Sequence, residues 1–144
     1  MNNRFFSSSP VLLQIGLLLV RLTTGGFLIY HGWEIFSASK MEEYLKWDQF
    51  KQNSFGTFLV YLGKGAELVG GILLAIGLFT RVAALIIIGA LGYITFFIGK
   101  GKIWYDDQHP FMFVLVALIY LFAGGGPYSL DKLLFTNRQT KYYA

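Results

Sequence analysis

Apolar residues in this chain neither alternate nor keep to one stripe of a helix. They come in long runs separated by short polar clusters. A helix needs about 20 mostly apolar residues to cross the hydrocarbon of a bilayer. Four runs approach that length, at 11–33, 56–79, 82–99 and 109–123. In lipid a helix satisfies its own backbone N–H and C=O groups, which an isolated strand cannot do. The pattern therefore predicts an all-α, four-helix transmembrane bundle in a single domain, 1–144, with both termini on the same side. Runs two and three are separated only by Thr80-Arg81, so they form an antiparallel hairpin.

The segments between the runs have their own signals. Residues 1–10 are polar and end in Ser7-Ser8-Ser9-Pro10. A cleaved signal peptide is the rival reading of the first run. Against it, the run resumes after Arg21 and reaches Tyr30, and no A-x-A site follows. Residues 34–55 interleave Lys40, Glu42, Glu43, Lys46, Asp48 and Lys51 with Met41, Tyr44, Leu45, Trp47 and Phe50. That mixture fits a segment lying in the membrane interface, and equally a solvated loop. His109-Pro110 opens the fourth run, where a proline in the first helical turn loses no hydrogen bond. Gly124-Gly125-Gly126-Pro127 ends it, Ser129 is placed to cap a short helix at 130–135, and 137–144 is a polar tail.

Composition sharpens this picture. Apolar residues make up 55% of the chain and charged residues 14%, against roughly 25% charged in a soluble domain. There is no cysteine, which excludes disulfides, thiolate nucleophiles and cysteine-ligated metal or iron–sulfur sites. The net charge of +4 comes from Lys and Arg spread singly through the loops, so it does not mark a nucleic-acid surface. Basic residues balance across the membrane: Arg4, Arg81, Lys132, Arg138 and Lys141 on the terminal side, Lys40, Lys46, Lys51, Lys100 and Lys102 on the other. Acids do not balance. Asp131 stands against Glu34, Glu42, Glu43, Asp48, Asp106 and Asp107, which tips the termini toward the cytoplasm.

Three charges lie inside the runs: Arg21, Lys64 and Glu67. Each costs about 2.5–3.5 kcal/mol at a helix centre, so each calls for a partner or a role. Counted from the ends of their runs, Arg21 and Glu67 are both about 15 Å deep. An arginine–carboxylate pair at the midplane is the economical arrangement. Lys64 lies one turn from Glu67 on the same helix face. Gly25-Gly26 and Gly70-Gly71 follow Arg21 and Glu67 by a turn, and small residues let membrane helices approach closely. Two readings stand, a structural ion pair and an intramembrane polar site that binds a substrate or passes protons.

His31 and His109 fall at the same membrane face, with Trp33, Glu34, Trp104, Tyr105, Asp106 and Asp107 nearby. Quinone head-group binding, metal binding, haem ligation and simple capping of helix ends all remain open for this group. Haem is disfavoured because its histidines normally lie deeper, and two histidines alone are a weak metal signal, to which Asp106 or Asp107 could add a carboxylate. No nucleophilic triad and no phosphate-cradling loop is present.

Several short elements, taken in order, resemble the DoxX family of four-helix membrane proteins. They are Arg21 with Gly25, the His31-Gly32 pair, Glu67-Leu68-Val69-Gly70-Gly71, Gly77-Leu78-Phe79-Thr80-Arg81, and Gly126-Pro127-Tyr128-Ser129-Leu130-Asp131. The likeness runs from about Leu17 to Leu134. Where many relatives carry a lysine three residues after the His-Gly glycine, this chain has Ile35. The resemblance implies a multi-pass protein of the bacterial inner membrane, tied to quinone-linked oxidoreductases and to complexes that handle oxidative stress. The expectation is a quinone-interacting or accessory subunit, with quinone as the candidate cofactor and a redox-complex protein and membrane lipid as partners. In it Arg21 and Glu67 shape the polar site and His31 meets the head group. A small-molecule or lipid carrier using Lys64, Glu67 and Arg21, and a scaffold that recruits a soluble redox partner, are the alternatives.

Overall fold

Each long apolar run forms a helix, with ends shifted by a few residues from those expected. The structure is a computed structural model that describes residues 12–135. The polar amino-terminal run, the expected first residue of the first span (Val11) and the tail at 137–144 lie outside the described residues. Helix α1, Leu13–Gly32, continues as a 3-10 turn, Trp33–Phe36. Two short helices follow, α2 at Ala38–Leu45 and α3 at Asp48–Lys51. Then come α4, Gly56–Ile76, and α5, Thr80–Tyr93, which runs on as a π-helical turn, Ile94–Ile98. Helix α6 is Gln108–Ala123 and α7 is Leu130–Phe135. No strand occurs among the described residues.

Three segments are long and apolar enough to cross a membrane: Leu13–Phe36, Gly56–Ile76 and Thr80–Ile98. Helix α6 is equally apolar but has 16 residues, fewer than the about 20 that a full crossing takes. The second expected span runs to 79, but the helix ends at Ile76. Gly77 adopts φ 69°, and the Leu78 N–H bonds back to the Leu73 carbonyl at 3.0 Å. Glycine is the residue that takes this left-handed C-cap without strain. The third helix begins two residues earlier than expected, at Thr80. Its first N–H groups find a partner far along the chain: Asp131 accepts from Phe79 N at 2.6 Å and Thr80 N at 2.9 Å. Ser129 Oγ in turn accepts the Lys132 N–H at 3.3 Å, capping α7.

Helix α1 packs on α4, α4 on α5, and α5 on α6. The α1–α4 contact is made by backbones. A Cβ at Gly71 would lie 2.8 Å from Leu28 Cβ, and one at Gly25 would lie 2.7 Å from Ala75 Cβ. Both would collide, so glycine is what permits the approach. The main core gathers Leu28, Leu74, Ala83, Ala84, Ile87, Leu91, Val114, Ala117 and Tyr120. A smaller one joins Met41 and Phe50 to Val60 and Ile98. Segment 34–55 is therefore no solvated loop. It folds back over one end of the helices and buries two of its side chains. Large apolar side chains cover the outer faces, including Phe27, Phe58, Leu62, Val82, Leu85 and Phe122, as contact with lipid demands.

Candidate functional site

The expected pairing of Arg21 with Glu67 does not form. Gly25 sits against Gly71 and Ala75, Gly32 against Leu68, and Arg21 against Gly77. In this register Glu67 lies level with Gly32, about ten residues or ~15 Å along α1 from Arg21. Equal depth would require both helices to start in matching planes. Instead α1 runs on past the end of α4, where the Tyr120 hydroxyl donates to Leu17 O at 2.5 Å. The glycine contacts fix that offset, because sliding either helix would drive a side chain into backbone.

Arg21 has another task. It is 2% exposed and donates from Nη1 to Gly125 O and from Nη2 to Tyr128 O at 2.7 Å. It thus ties the glycine-rich turn after α6 to the middle of α1. Hydrogen bonds to a charged group contribute about 1.5–3 kcal/mol each, and here they satisfy two carbonyls of the turn between α6 and α7. Asp131 stands close by. Burial works to raise its carboxyl, but hydrogen bonding by Thr80 and Phe79 and the Arg21 charge outweigh it and hold it below the ordinary carboxylate value.

The other two intramembrane charges do meet, at the opposite end of the helices. Lys64 and Glu67 are a turn apart on α4, and Lys64 Nζ lies 3.1 Å from Glu67 Oε2. It also lies 2.8 Å from Glu34 Oε2 and donates to His31 O at 3.3 Å. Its Nζ rests 4.7 Å from the centroid of the Tyr44 ring, and the Tyr44 hydroxyl donates to Glu34 Oε2 at 2.6 Å. Burial, together with the bond to Glu34, pushes the Tyr44 phenol above its ordinary value. Two carboxylates thus share one ammonium in a place shielded from water, and every charge has a hydrogen-bonded partner, as burial requires.

The histidines come together beside this cluster. Their ring centroids are 5.3 Å apart, edge to face, with Tyr30 against His31 and Phe113 against His109. Both rings border a cavity of about 620 Å³, as do Lys64, Glu67 and Tyr44. The rest of its wall is mainly apolar, from Leu28, Trp47, Phe50, Val60, Leu91 and Ile94 among others. Such a volume, apolar with a few convergent polar groups, is what ligand sites usually offer. Trp33, Asp106 and Asp107 do not border it. Trp33 stands out at 63% exposure, and Asp106 pairs with Lys102 on the surface at 3.6 Å. Asp107 organises its own loop, accepting from the N–H groups of Lys100 at 2.9 Å and Lys102 at 2.8 Å. Tyr44 is a site residue that sequence reasoning missed, and Glu34 was placed near the histidines but not in the cluster with Lys64. Their only sequence signal is an acid at the end of a span and an aromatic among interfacial charges. Among the described residues no group of three His, Asp or Glu side chains is placed to hold a metal ion.

The DoxX family model matches residues 16–100, a stretch that carries Arg21, His31, Lys64 and Glu67. A Haemophilus influenzae protein described as an "Uncharacterized protein" is 37% identical over 76 residues, 48% of this chain. That match spans 57% of the relative's own length. A Bacillus subtilis protein named "Putative oxidoreductase CatD" is 28% identical over 130 residues, covering 88% of this chain and 92% of the relative. No solved structure matches the chain.

Proposed function

Because the chain belongs to the DoxX family, we propose that it serves a membrane oxidoreductase complex as a quinone-interacting or accessory subunit. In this reading it lies in the bacterial inner membrane, with α1, α4, α5 and α6 as four spans and both termini in the cytoplasm. The observation that supports it is the cavity: a mainly apolar chamber ending in His31, His109, Lys64 and Glu67. A quinone head group is flat, weakly polar and carries carbonyl acceptors. The histidine N–H groups are donors suited to those oxygens, the Lys64 ammonium, whose own N–H groups are taken by Glu34, Glu67 and His31 O, adds positive charge beside them, and Trp47 and Phe113 offer faces for the ring. Reduction takes up one proton per carbonyl oxygen, and Glu67, Lys64, Glu34 and Tyr44 form a hydrogen-bonded chain of groups able to carry protons. The electrons come from a redox partner protein. The name of the Bacillus subtilis relative points the same way.

A titration of the nanodisc-embedded protein with a quinone tests this, read by quenching of Trp47 fluorescence. Saturable quenching is expected. Glu67→Gln should weaken it about tenfold while the helical circular dichroism stays unchanged, since it weakens the charged hydrogen bond by which Glu67 holds Lys64 at the cavity wall. Binding that is the same in the variant and the wild type counts against the site. A second reading is a scaffold for a soluble redox partner. It draws on Trp104 and Tyr105, each 79% exposed on the loop before α6.

A further inference from the structure

Helices α4 and α5 leave their connecting turn in tight contact and then part. At Gly70 a Cβ would lie 2.9 Å from Ile87 Cγ1, so the Ile87 side chain is pressed on the α4 backbone there. Further from the connection, a Cβ at Gly63, two turns beyond Gly70, or at Gly89, half a turn beyond Ile87, would meet no neighbouring heavy atom within 4 Å. Both glycines border the cavity. The chamber therefore sits in the crotch of a V whose arms are α4 and α5.

Gly89 also interrupts the lipid-facing surface of α5. Val82, Leu85, Tyr93 and Phe96 are all exposed and lie on the same helical face as Gly89. At its position this bulky row has a notch. The end of the chamber nearest the interface is closed by contrast. Met41 is 2% and Phe50 9% exposed where α2 and α3 press on Val60 and Ile98. The Gln49 side chain is fastened to Ile98 O at 3.1 Å across this roof.

We propose that the gap between Gly63 and Gly89 is a lateral portal, through which a tailed amphiphile enters from the lipid and along which its tail stays seated. The head rests against Lys64 and Glu67 while the tail passes between α4 and α5 into the bilayer. This inference rests on the quinone reading of the same cavity and adds its route and its selectivity. An apolar tail remains buried throughout, whereas a route through α2 and α3 would drag it past the charges of the interface. Glycine at both positions sets the width of the slot. A larger side chain fits without a clash in the fold and fills the space that the tail needs.

The test uses two probes on the full chain in nanodiscs: a benzoquinone without a tail, and the same head carrying a decyl chain. Gly89→Leu and Gly63→Leu are compared with wild type, and Gly89→Ala serves as the mildest change should leucine disturb the helix. Wild type should bind both probes. The leucine variants should lose about tenfold in affinity for the decyl probe, the effect of losing about two buried methylene groups. They should hold the tailless probe unchanged. Decyl binding that both leucine variants leave intact overturns the portal, and so does an equal loss of both probes. Failure of wild type to bind either probe overturns the quinone reading itself, and the portal falls with it.

Discussion

Replacing Lys64 with methionine removes the single ammonium that Glu34 and Glu67 share, and it keeps the length and apolar stem of the side chain. In the native protein the Lys64 side chain is 12% exposed, that of Glu67 8% and that of Glu34 23%. Breaking a buried ion pair by removing one partner costs about 3–5 kcal/mol, because a desolvated charge is left behind. Glu34 is less shielded and keeps the Tyr44 hydroxyl, so it contributes little to the loss. Glu67 loses its hydrogen-bonded partner outright. A destabilisation of about 3 kcal/mol is expected. The double variant Lys64→Met with Glu67→Gln should recover at least about half of it, since the stranded charge is gone. Reversible unfolding in mixed micelles, followed by circular dichroism, reads both variants against wild type. A loss below about 1 kcal/mol in Lys64→Met places the pair in the range of exposed salt bridges and refutes the argument. A double variant less stable than Lys64→Met refutes it as well.

Arg21→Met should free the turn after α6, costing about 3 kcal/mol for two hydrogen bonds to a charged group, and protease should cut near Gly125 faster than in wild type. Asp131 holds its proton less readily in the folded protein, so its contribution is complete above the ordinary carboxylate range. It fades as pH falls through the lowered value. Melting temperature should thus drop with acid more steeply in wild type than in Asp131→Asn, and parallel curves would contradict this. Gly71→Leu should separate α1 from α4, because the new side chain meets Leu28 and the Ile29 backbone. Loss of the folded species on detergent gel filtration is expected, whereas Gly26→Leu, at a position with open space, should run as wild type.

The helices were legible in the sequence because hydropathy responds to lipid, and a run of apolar residues has few other uses. Their ends were less clear: Pro110 and Gly124 bracket α6 by acting on the backbone locally, but Gly77, which stops α4, lay inside the expected span. The glycines on α1 and α4 announced close packing, and Gly25 and Gly71 make it, whereas Gly26 faces open space and Gly70 meets α5. What they did not carry is translation along the helix axis. Gly25 can face Gly71 only in one register, but choosing it requires knowing which of several glycines meet. Counting depth from the ends of the runs put Arg21 beside Glu67, and the packing moved them apart. Lys64 beside Glu67 needed no such knowledge, because a spacing of three on one helix is a local fact. Glu34 and Tyr44 depended on how segment 34–55 folds back, which its mixed composition left undecided between a solvated loop and a packed roof.

The shortness of α6 has a consequence for the surrounding lipid. Its 16 residues rise about 24 Å, while Leu13–Phe36 has 24 residues and reaches well beyond the about 30 Å of an average hydrocarbon layer. The protein is thus thick on one flank and thin on the other. In the four-span arrangement proposed above, acyl chains beside α6 must compress, or the whole assembly must lean, at a fraction of a kcal/mol per Å of mismatch. His109 and the histidine-lined end of the cavity sit on that thin flank, where stiffer or longer-chained lipids will press hardest.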